Sequence, residues 1–171
     1  MMNLYYAQFD LAFGNVLLMA TDAGLFQLVL GEHELPLNFP TWAEKFECNF
    51  VHDESRFGDI AVDLAGYFAG LQMDFDYPLD LRGASAFERA VWDKARHIPY
   101  GQVRSYKWLA TQVHHPNAFK AVGRALSQNP LPIVVPCHRV IMTDSTLGGF
   151  ASGVGWKERL LRLERGELRM L

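Results

Sequence analysis

The sequence predicts a mixed α/β (α+β) fold: a small N-terminal mixed α/β domain over residues 1–81, followed by a mainly helical C-terminal domain over 82–171 that contains a helix-turn-helix. Three observations lead there. Runs rich in residues that suit sheets, punctuated by turn chemistry, occupy the stretch 3–30. Apolar residues recur at helical spacing from residue 55 onward and dominate after residue 85. Charge reverses between the two stretches: residues 1–81 carry 13 acidic and two basic side chains, a net of −11, whereas 82–171 carry 14 basic and six acidic, a net of +8.

Taken in order, residues 3–9, 14–21 and 25–30 read as strands, with Thr21-Asp22-Ala23-Gly24 supplying a hairpin turn. Residues 32–40 form a loop, and the pattern over 41–50 is short and ambiguous, with a helix as the reading offered. Ile60, Leu64, Tyr67 and Phe68 fall at i, i+4, i+7 and i+8 with Gly70 as a stop, which predicts an amphipathic helix over 55–69. Residues 75–79 are expected as a strand leading into a linker over 80–84. Ser85-Ala86-Phe87-Glu88 is a capping box, in which the Ser oxygen and the Glu carboxylate each satisfy an orphan backbone N–H. Phe87, Val91, Trp92 and Ala95 extend one apolar face to about residue 98, and Pro99-Tyr100-Gly101 turns the chain. Ser105 caps a second helix over 106–113, His114-His115-Pro116-Asn117 breaks it, and a third runs over 118–127 with Ala121, Val122, Ala125 and Leu126 facing inward. Two short helices across a tight turn make the helix-turn-helix, whose second member is the usual reader of nucleic acid. The last helix is expected over 157–168, with Leu160, Leu161 and Leu163 packed inward and Arg159, Arg162 and Arg165 facing solvent.

Composition narrows the function classes. Half of the 171 residues are hydrophobic, enough for a sizeable core, yet no run approaches the roughly 20 apolar residues of a membrane span. No basic segment followed by an apolar one opens the chain, so a cytoplasmic, untargeted protein is expected. Cys48 and Cys137 are the only cysteines, which argues for a reduced compartment and against a disulfide framework. Neither lies in a CxxC pair and the six histidines lack zinc-finger spacing, so no structural metal is expected. The net charge of −3 would argue against nucleic acid, but the basic surplus after residue 82 can replace counterions on a phosphate backbone.

The chemistry gathers in Ile133-Val134-Val135-Pro136-Cys137-His138-Arg139-Val140. An apolar β-branched run should be buried and end at Pro136, which has no backbone N–H to carry pairing onward. A thiol follows, with a base and a cation beside it: the parts of an activated nucleophile. A thiolate is a soft nucleophile suited to displacement at an sp3 carbon. Lowering its pKa by two units from about 8.5 would gain only about 1 kcal/mol, because intrinsic nucleophilicity falls as well. Holding the reacting atoms in line can supply roughly 7 to 11 kcal/mol. The site must therefore be chiefly a pocket.

Pro136-Cys137-His138-Arg139-Val140 resembles the active-site signature of the O6-alkylguanine-DNA alkyltransferases (methylated-DNA--protein-cysteine methyltransferases). Ser105-Tyr106, Ala121-Val122-Gly123 and Asn129-Pro130 upstream, and Gly148-Gly149-Phe150 through Lys157-Glu158 downstream, follow the family's order. The resemblance covers residues 85–171 closely and the first 80 weakly, where the family has a small mixed α/β domain of variable sequence. It implies stoichiometric, irreversible transfer of an alkyl group from O6-alkylguanine in double-stranded DNA, and of O4-alkylthymine as a further substrate, to Cys137. No cofactor is implied, and the protein is expected to act as a monomer with no membrane partner.

The resemblance also implies roles. Tyr106 contacts the guanine and aids its departure as a neutral base; His138 relays the thiol proton, through a water where the side chains diverge; Glu164 orients the imidazole. Asn129 ties the recognition helix to the active-site turn. The loop over 143–153 forms the pocket wall, with Gly148 and Gly149 allowing close approach, Phe150 covering the base, the Ala151 N–H donating to O6 and the Val140 carbonyl accepting from the exocyclic amine. Lys120, Arg124, Ser105, Asn117 and Arg139 are the residues expected on DNA, with the recognition helix in the minor groove. Two departures stand out: Phe150 replaces the family's common tyrosine, and Lys120 replaces the arginine that enters the stack as the target nucleotide leaves. Lysine lacks a planar fork, which predicts weaker base extrusion, with Arg124 one turn along as compensation. Two rivals stay open: a non-catalytic sensor of alkylated DNA, and a cysteine hydrolase built on Cys137, His138 and Glu164.

Overall fold

The computed structural model describes residues 1–37, 39–150 and 152–168 and is a mixed α/β structure with a four-stranded sheet and, among the described residues, six α-helices. It divides into two compact units, Met1–Asp80 and a second that begins at Leu81. None of the described helices is long and apolar enough to cross a membrane.

In the first unit β1 (Met2–Leu11), β2 (Gly14–Thr21), β3 (Gly24–Gly31) and β4 (Cys48–His52) lie in the order β3-β2-β1-β4. The first three pair antiparallel through tight turns, and β4 joins β1 in parallel. β2 is buried on both sides, as befits a strand covered on each face. Leu4, Leu17, Met19, Phe26 and Cys48 form one cluster with Trp42 and Phe46 of α1 (Phe39–Phe46). Strand alternation sends Val16 and Leu18 the other way, and α2 (Gly58–Phe68) buries Ile60, Leu64, Tyr67 and Phe68. The helix expected over 41–50 is thus two elements. Glu47, at φ 48°, takes the left-handed conformation that ends α1, and the chain then enters β4. The strand expected over 75–79 is an extended segment with a single bridge, Leu25 to Leu79, where the Leu25 N–H donates to the Pro78 carbonyl at 2.8 Å and the Asp80 N–H to the Leu25 carbonyl at 2.7 Å. Gly24 makes that approach possible: a Cβ there would sit 2.3 Å from the Pro78 oxygen.

The second unit opens with α3 (Ala86–Arg96), whose capping box forms: the Ser85 hydroxyl accepts from the Glu88 N–H, and the Glu88 carboxylate accepts from the Ser85 N–H at 2.8 Å. Two-residue strands β5 (Arg104–Ser105) and β6 (Val140–Ile141) pair in parallel. Between them lie α4 (Tyr106–Gln112), capped by Ser105, and α5 (Phe119–Ser127), joined after His114 turns left-handed at φ 62°. The Trp92 indole N–H donates to the Ala125 carbonyl at 2.8 Å and locks α3 against α5. Ala121, expected inside, is exposed, while Val122, Ala125 and Leu126 are buried.

Residues 133–135 are buried as expected but form a turn: Ile133 sits at φ 75°, and the Val135 N–H donates to the Leu131 carbonyl at 2.8 Å. A β-branched residue in that region is strained, so the packing around this turn overrides local preference. A single 3-10 turn, Cys137–Arg139, follows. The last helix, α6, spans Val154–Glu164, both starting and ending ahead of the expected 157–168, and Gly166 at φ 72° lies just beyond its end. Leu160, Leu161 and Leu163 are buried on it, Arg162 and Arg165 are exposed, and Arg159 lies over the Trp156 ring at 4.6 Å.

Candidate active site

Cys137 starts the 3-10 turn, is 3% exposed, and lines a pocket of about 720 Å3. Asn129, at the end of the segment leaving α5, holds it there. The Asn129 amide donates to Cys137 Sγ at 3.0 Å and to the Val135 carbonyl at 2.9 Å, while its oxygen accepts from the Leu131 N–H at 2.9 Å. One buried side chain therefore joins the strained turn to the sulfur. Burial pushes the Cys137 thiol up to about 11, against the pull of the Asn129 hydrogen bond, the Lys157 charge and two backbone N–H groups. The resting sulfur is a neutral thiol, not the pre-formed thiolate of an electropositive cysteine.

His138 is fully buried, with Nε2 2.6 Å from Glu164 Oε1. An ionised carboxylate only accepts, so Nε2 carries the hydrogen and Nδ1 is the basic nitrogen. Burial holds the imidazole neutral, lowering its pKa against the raising effect of Glu164. Burial alone would raise Glu164, but the hydrogen bonds from His138 and Arg139, together with the Arg139 charge, outweigh it and hold the carboxyl down at about 2. The Arg139 guanidinium secures that result: Nη2 donates to Oε1 at 2.8 Å, Nε to Oε2 at 3.0 Å, and Nη1 to the Ile98 carbonyl at 2.7 Å. The Gly101 N–H adds a bond to Oε2 at 3.1 Å. Arg139 was expected on DNA, and this corrects the expectation: it is buried, its fork spent on Glu164 and a carbonyl, so it cannot offer charge to phosphates.

Tyr106 opens α4 and lines the pocket, its hydroxyl donating toward the Gly149 carbonyl at 3.4 Å. Gly148, at φ 69°, permits this, because a Cβ there would lie 2.7 Å from the Tyr106 oxygen. Burial raises the Tyr106 pKa, and the nearby Cys137 adds to the effect. Gly148, Gly149 and Phe150 line the same pocket, and the Phe150 ring meets His138 edge-on with centroids 6.4 Å apart. Ala151 lies outside the described residues. Lys120 lines the pocket from α5; Arg124 and Asn117 are exposed, and Ser105 is occupied in capping α4.

Lys157, which the sequence placed in the family's order but to which it gave no role, belongs to the site. Fully buried on α6, its ammonium donates to the Val140 carbonyl at 2.6 Å, the Gly149 carbonyl at 3.1 Å and the Tyr106 hydroxyl at 3.3 Å. The Val140 carbonyl expected to read a base is thus already engaged, although a carbonyl has a second lone pair to offer. Burial lowers Lys157 to about 8, with Cys137 pulling the other way. A signal was present: Lys157 lies three and four positions before Leu160 and Leu161, on the face already assigned to the core. Among the described residues no group of three or more His, Cys, Asp or Glu side chains could hold a metal ion.

Comparison with known proteins places this geometry in context. Residues 86–166 match the family model described as 6-O-methylguanine DNA methyltransferase, DNA binding domain. A methylated-DNA--protein-cysteine methyltransferase of Methanosarcina barkeri is 36% identical over 166 residues, covering 97% of this chain and 100% of the relative. One from Mycolicibacterium paratuberculosis is 44% identical over 122 residues, 71% of this chain and 73% of the relative. The crystal structure of Mycobacterium tuberculosis OGT in complex with DNA superposes with a TM-score of 0.81 at 35% identity, covering 97% of this chain and 96% of that one. The Pyrococcus kodakaraensis O6-methylguanine-DNA methyltransferase, at 22% identity and a TM-score of 0.68, shares the fold over 94% of this chain and 98% of that one. With near full-length similarity at that level of identity, the chain belongs to the methylated-DNA--protein-cysteine methyltransferase family.

Proposed function

We propose that this protein repairs DNA directly, by moving the alkyl group of O6-alkylguanine in duplex DNA onto Cys137 in one irreversible turnover. The observation that carries the reading is a buried sulfur opening into a pocket large enough for a base, with hydrogen-bonding groups on the pocket wall. An O6-methyl group lies within the duplex stack, so the nucleotide must turn out to reach the sulfur. Residues 82–171 do both tasks, with α4 and α5 as a helix-turn-helix that holds the strand in its minor groove, while residues 1–81 have a structural part. Lys120 and Arg124 supply charge to the DNA, with Asn117 beside them. The protein works as a monomer in the cytoplasm.

With the Cys137 pKa near 11, forming the thiolate first at pH 7 would cost about 5 kcal/mol. The proton therefore leaves as the new bond forms. It passes to His138 at Nδ1, by way of a water, and ionised Glu164 stabilises the resulting imidazolium. The S–C bond forms as the C–O6 bond breaks, and the electron pair of that bond goes to the guanine. Tyr106 gives the departing base a proton, so it leaves neutral, and the Lys157 ammonium beside the Tyr106 oxygen stabilises the phenolate left behind. The imidazolium proton then returns to the phenolate through solvent, which closes the balance. The product is a thioether, without an acyl carbon for water to attack, so the sulfur is not regenerated.

The test is a mass spectrum after mixing the protein with duplex DNA that carries O6-methylguanine. One methyl on the peptide containing Cys137, with one lesion repaired per molecule, is the expected result. Repair beyond one equivalent, with release of methanol, would overturn it.

A further inference from the structure

Phe119 is the first residue of α5, is 49% exposed, and lines the same pocket whose inner end is Cys137. Its exposure, against the 3% of Cys137, assigns it to the solvent side of the pocket, next to Lys120 in the chain. A base that enters the pocket leaves an empty step in the duplex, and the neighbouring bases lose their stacking partner. An apolar or planar side chain at the mouth can fill that step, as minor-groove proteins do with inserted wedges. The lining offers four exposed side chains long enough to try: Lys107, Phe119, Lys120 and Met142. The two ammonium groups are strongly hydrated point charges that suit phosphates. Met142 is an unbranched thioether carried by a turn that its own N–H closes on the Thr146 carbonyl at 2.9 Å. Phe119 alone combines a flat ring with a helix whose inner face, Val122, Ala125 and Leu126, is buried and fixed by Trp92.

We propose that Phe119 is the wedge that occupies the base stack when the alkylated nucleotide turns into the pocket, with Lys120 beside it holding the adjacent phosphate. The proposal rests on the pocket being the seat of an everted guanine. It assigns the filling of the step to the aromatic ring and not to Lys120 or to Arg124, one turn further along the helix.

The experiment measures single-turnover methyl transfer from O6-methylguanine in a duplex and in the same strand left unpaired. Phe119→Ala is expected to lower the ratio of duplex to single-strand rate about tenfold, in the range of one base-stacking contact. Phe119→Trp, which keeps a flat ring, is expected to restore the ratio. 2-Aminopurine at the target position of a duplex should brighten on binding the unaltered protein and brighten less with Phe119→Ala. An unchanged ratio in a Phe119→Ala protein with an unaltered melting temperature overturns the wedge and leaves the repair reading standing. Absence of transfer from either substrate by the unaltered protein overturns the repair reading itself.

Discussion

At Cys137 opposing influences meet on one sulfur. Burial raises its pKa to about 11, while Asn129, Lys157 and the backbone N–H groups of residues 137 and 138 pull it down without prevailing. The site gives up a ready thiolate and keeps a sulfur that is fixed in direction by Asn129 at 3.0 Å. Positioning is worth roughly 7 to 11 kcal/mol, so it can more than offset the cost of a late proton transfer. This has a signature in pH. If ionisation of the thiol came first, transfer would rise about tenfold per pH unit up to about 11. If instead the Lys157 ammonium supports Tyr106 during transfer, the rate must fall above about 8, where Lys157 loses its proton. At the acid end His138 must be neutral to accept a proton, and burial places its pKa below the usual histidine value. Transfer is therefore expected to level off above a limb that lies below about pH 6.5, and to decline above about pH 8. Rapid-quench transfer rates across pH 5 to 10 check this, with Lys157→Met expected to be slow and to lack the alkaline limb. A rate that kept climbing through pH 9 would rule the scheme out.

At the scale of the element, α6 organises the site: Lys157 and Glu164 lie two turns apart on its inner face, the first serving Tyr106 and the pocket wall, the second serving His138 and Arg139. Glu164 titrates at about 2 in the folded chain against an ordinary 4.5. A depressed carboxylate stabilises the fold fully above its unfolded pKa and loses that contribution as pH falls toward its folded one. The expected loss is about 3 kcal/mol between pH 4.5 and 2. Glu164→Gln should remove that part of the acid slope and cost roughly 3 to 5 kcal/mol at pH 7, because Arg139 is left buried without its counter-charge. Urea unfolding of both proteins across the acid range decides it; an identical slope in the variant would show that the carboxylate is not held as described. The same helix shows what could be read beforehand. Its leucine face and the capping box of α3 are local patterns and were legible. The Glu164–Arg139 fork closes across 25 residues, and nothing beside Arg139 in the chain reveals it, so a cation next to the nucleophile was assigned to DNA. β4 was hidden for the same reason, since its pairing with β1 is parallel and distant in sequence. The positive φ of Ile133 contradicts local preference and only the packed turn accounts for it.

For the whole molecule the question is which charge the DNA meets. The chain is net −3, yet its residues after 82 are net +8. At 0.15 M salt the Debye length is about 8 Å, so phosphates respond to the side chains at the contact and not to the total. The pocket that must face the duplex is lined by Lys107 and Lys120 with one acid, Asp144, and Arg124 is exposed on the same helix as Lys120. If the total charge governed, added salt would relieve repulsion and tighten binding. If the local surface governs, each neutralised phosphate releases condensed counterions and binding weakens with salt, at a slope of about 0.9 per contact. The second outcome is expected for duplex DNA measured by anisotropy between 50 and 300 mM salt. Lys107→Gln should reduce the steepness by about one contact and weaken all sequences alike, since a phosphate contact carries no base information. Binding that strengthened with salt, or a slope untouched by Lys107→Gln, would mean that the strand lies on a different surface from the one that opens onto Cys137.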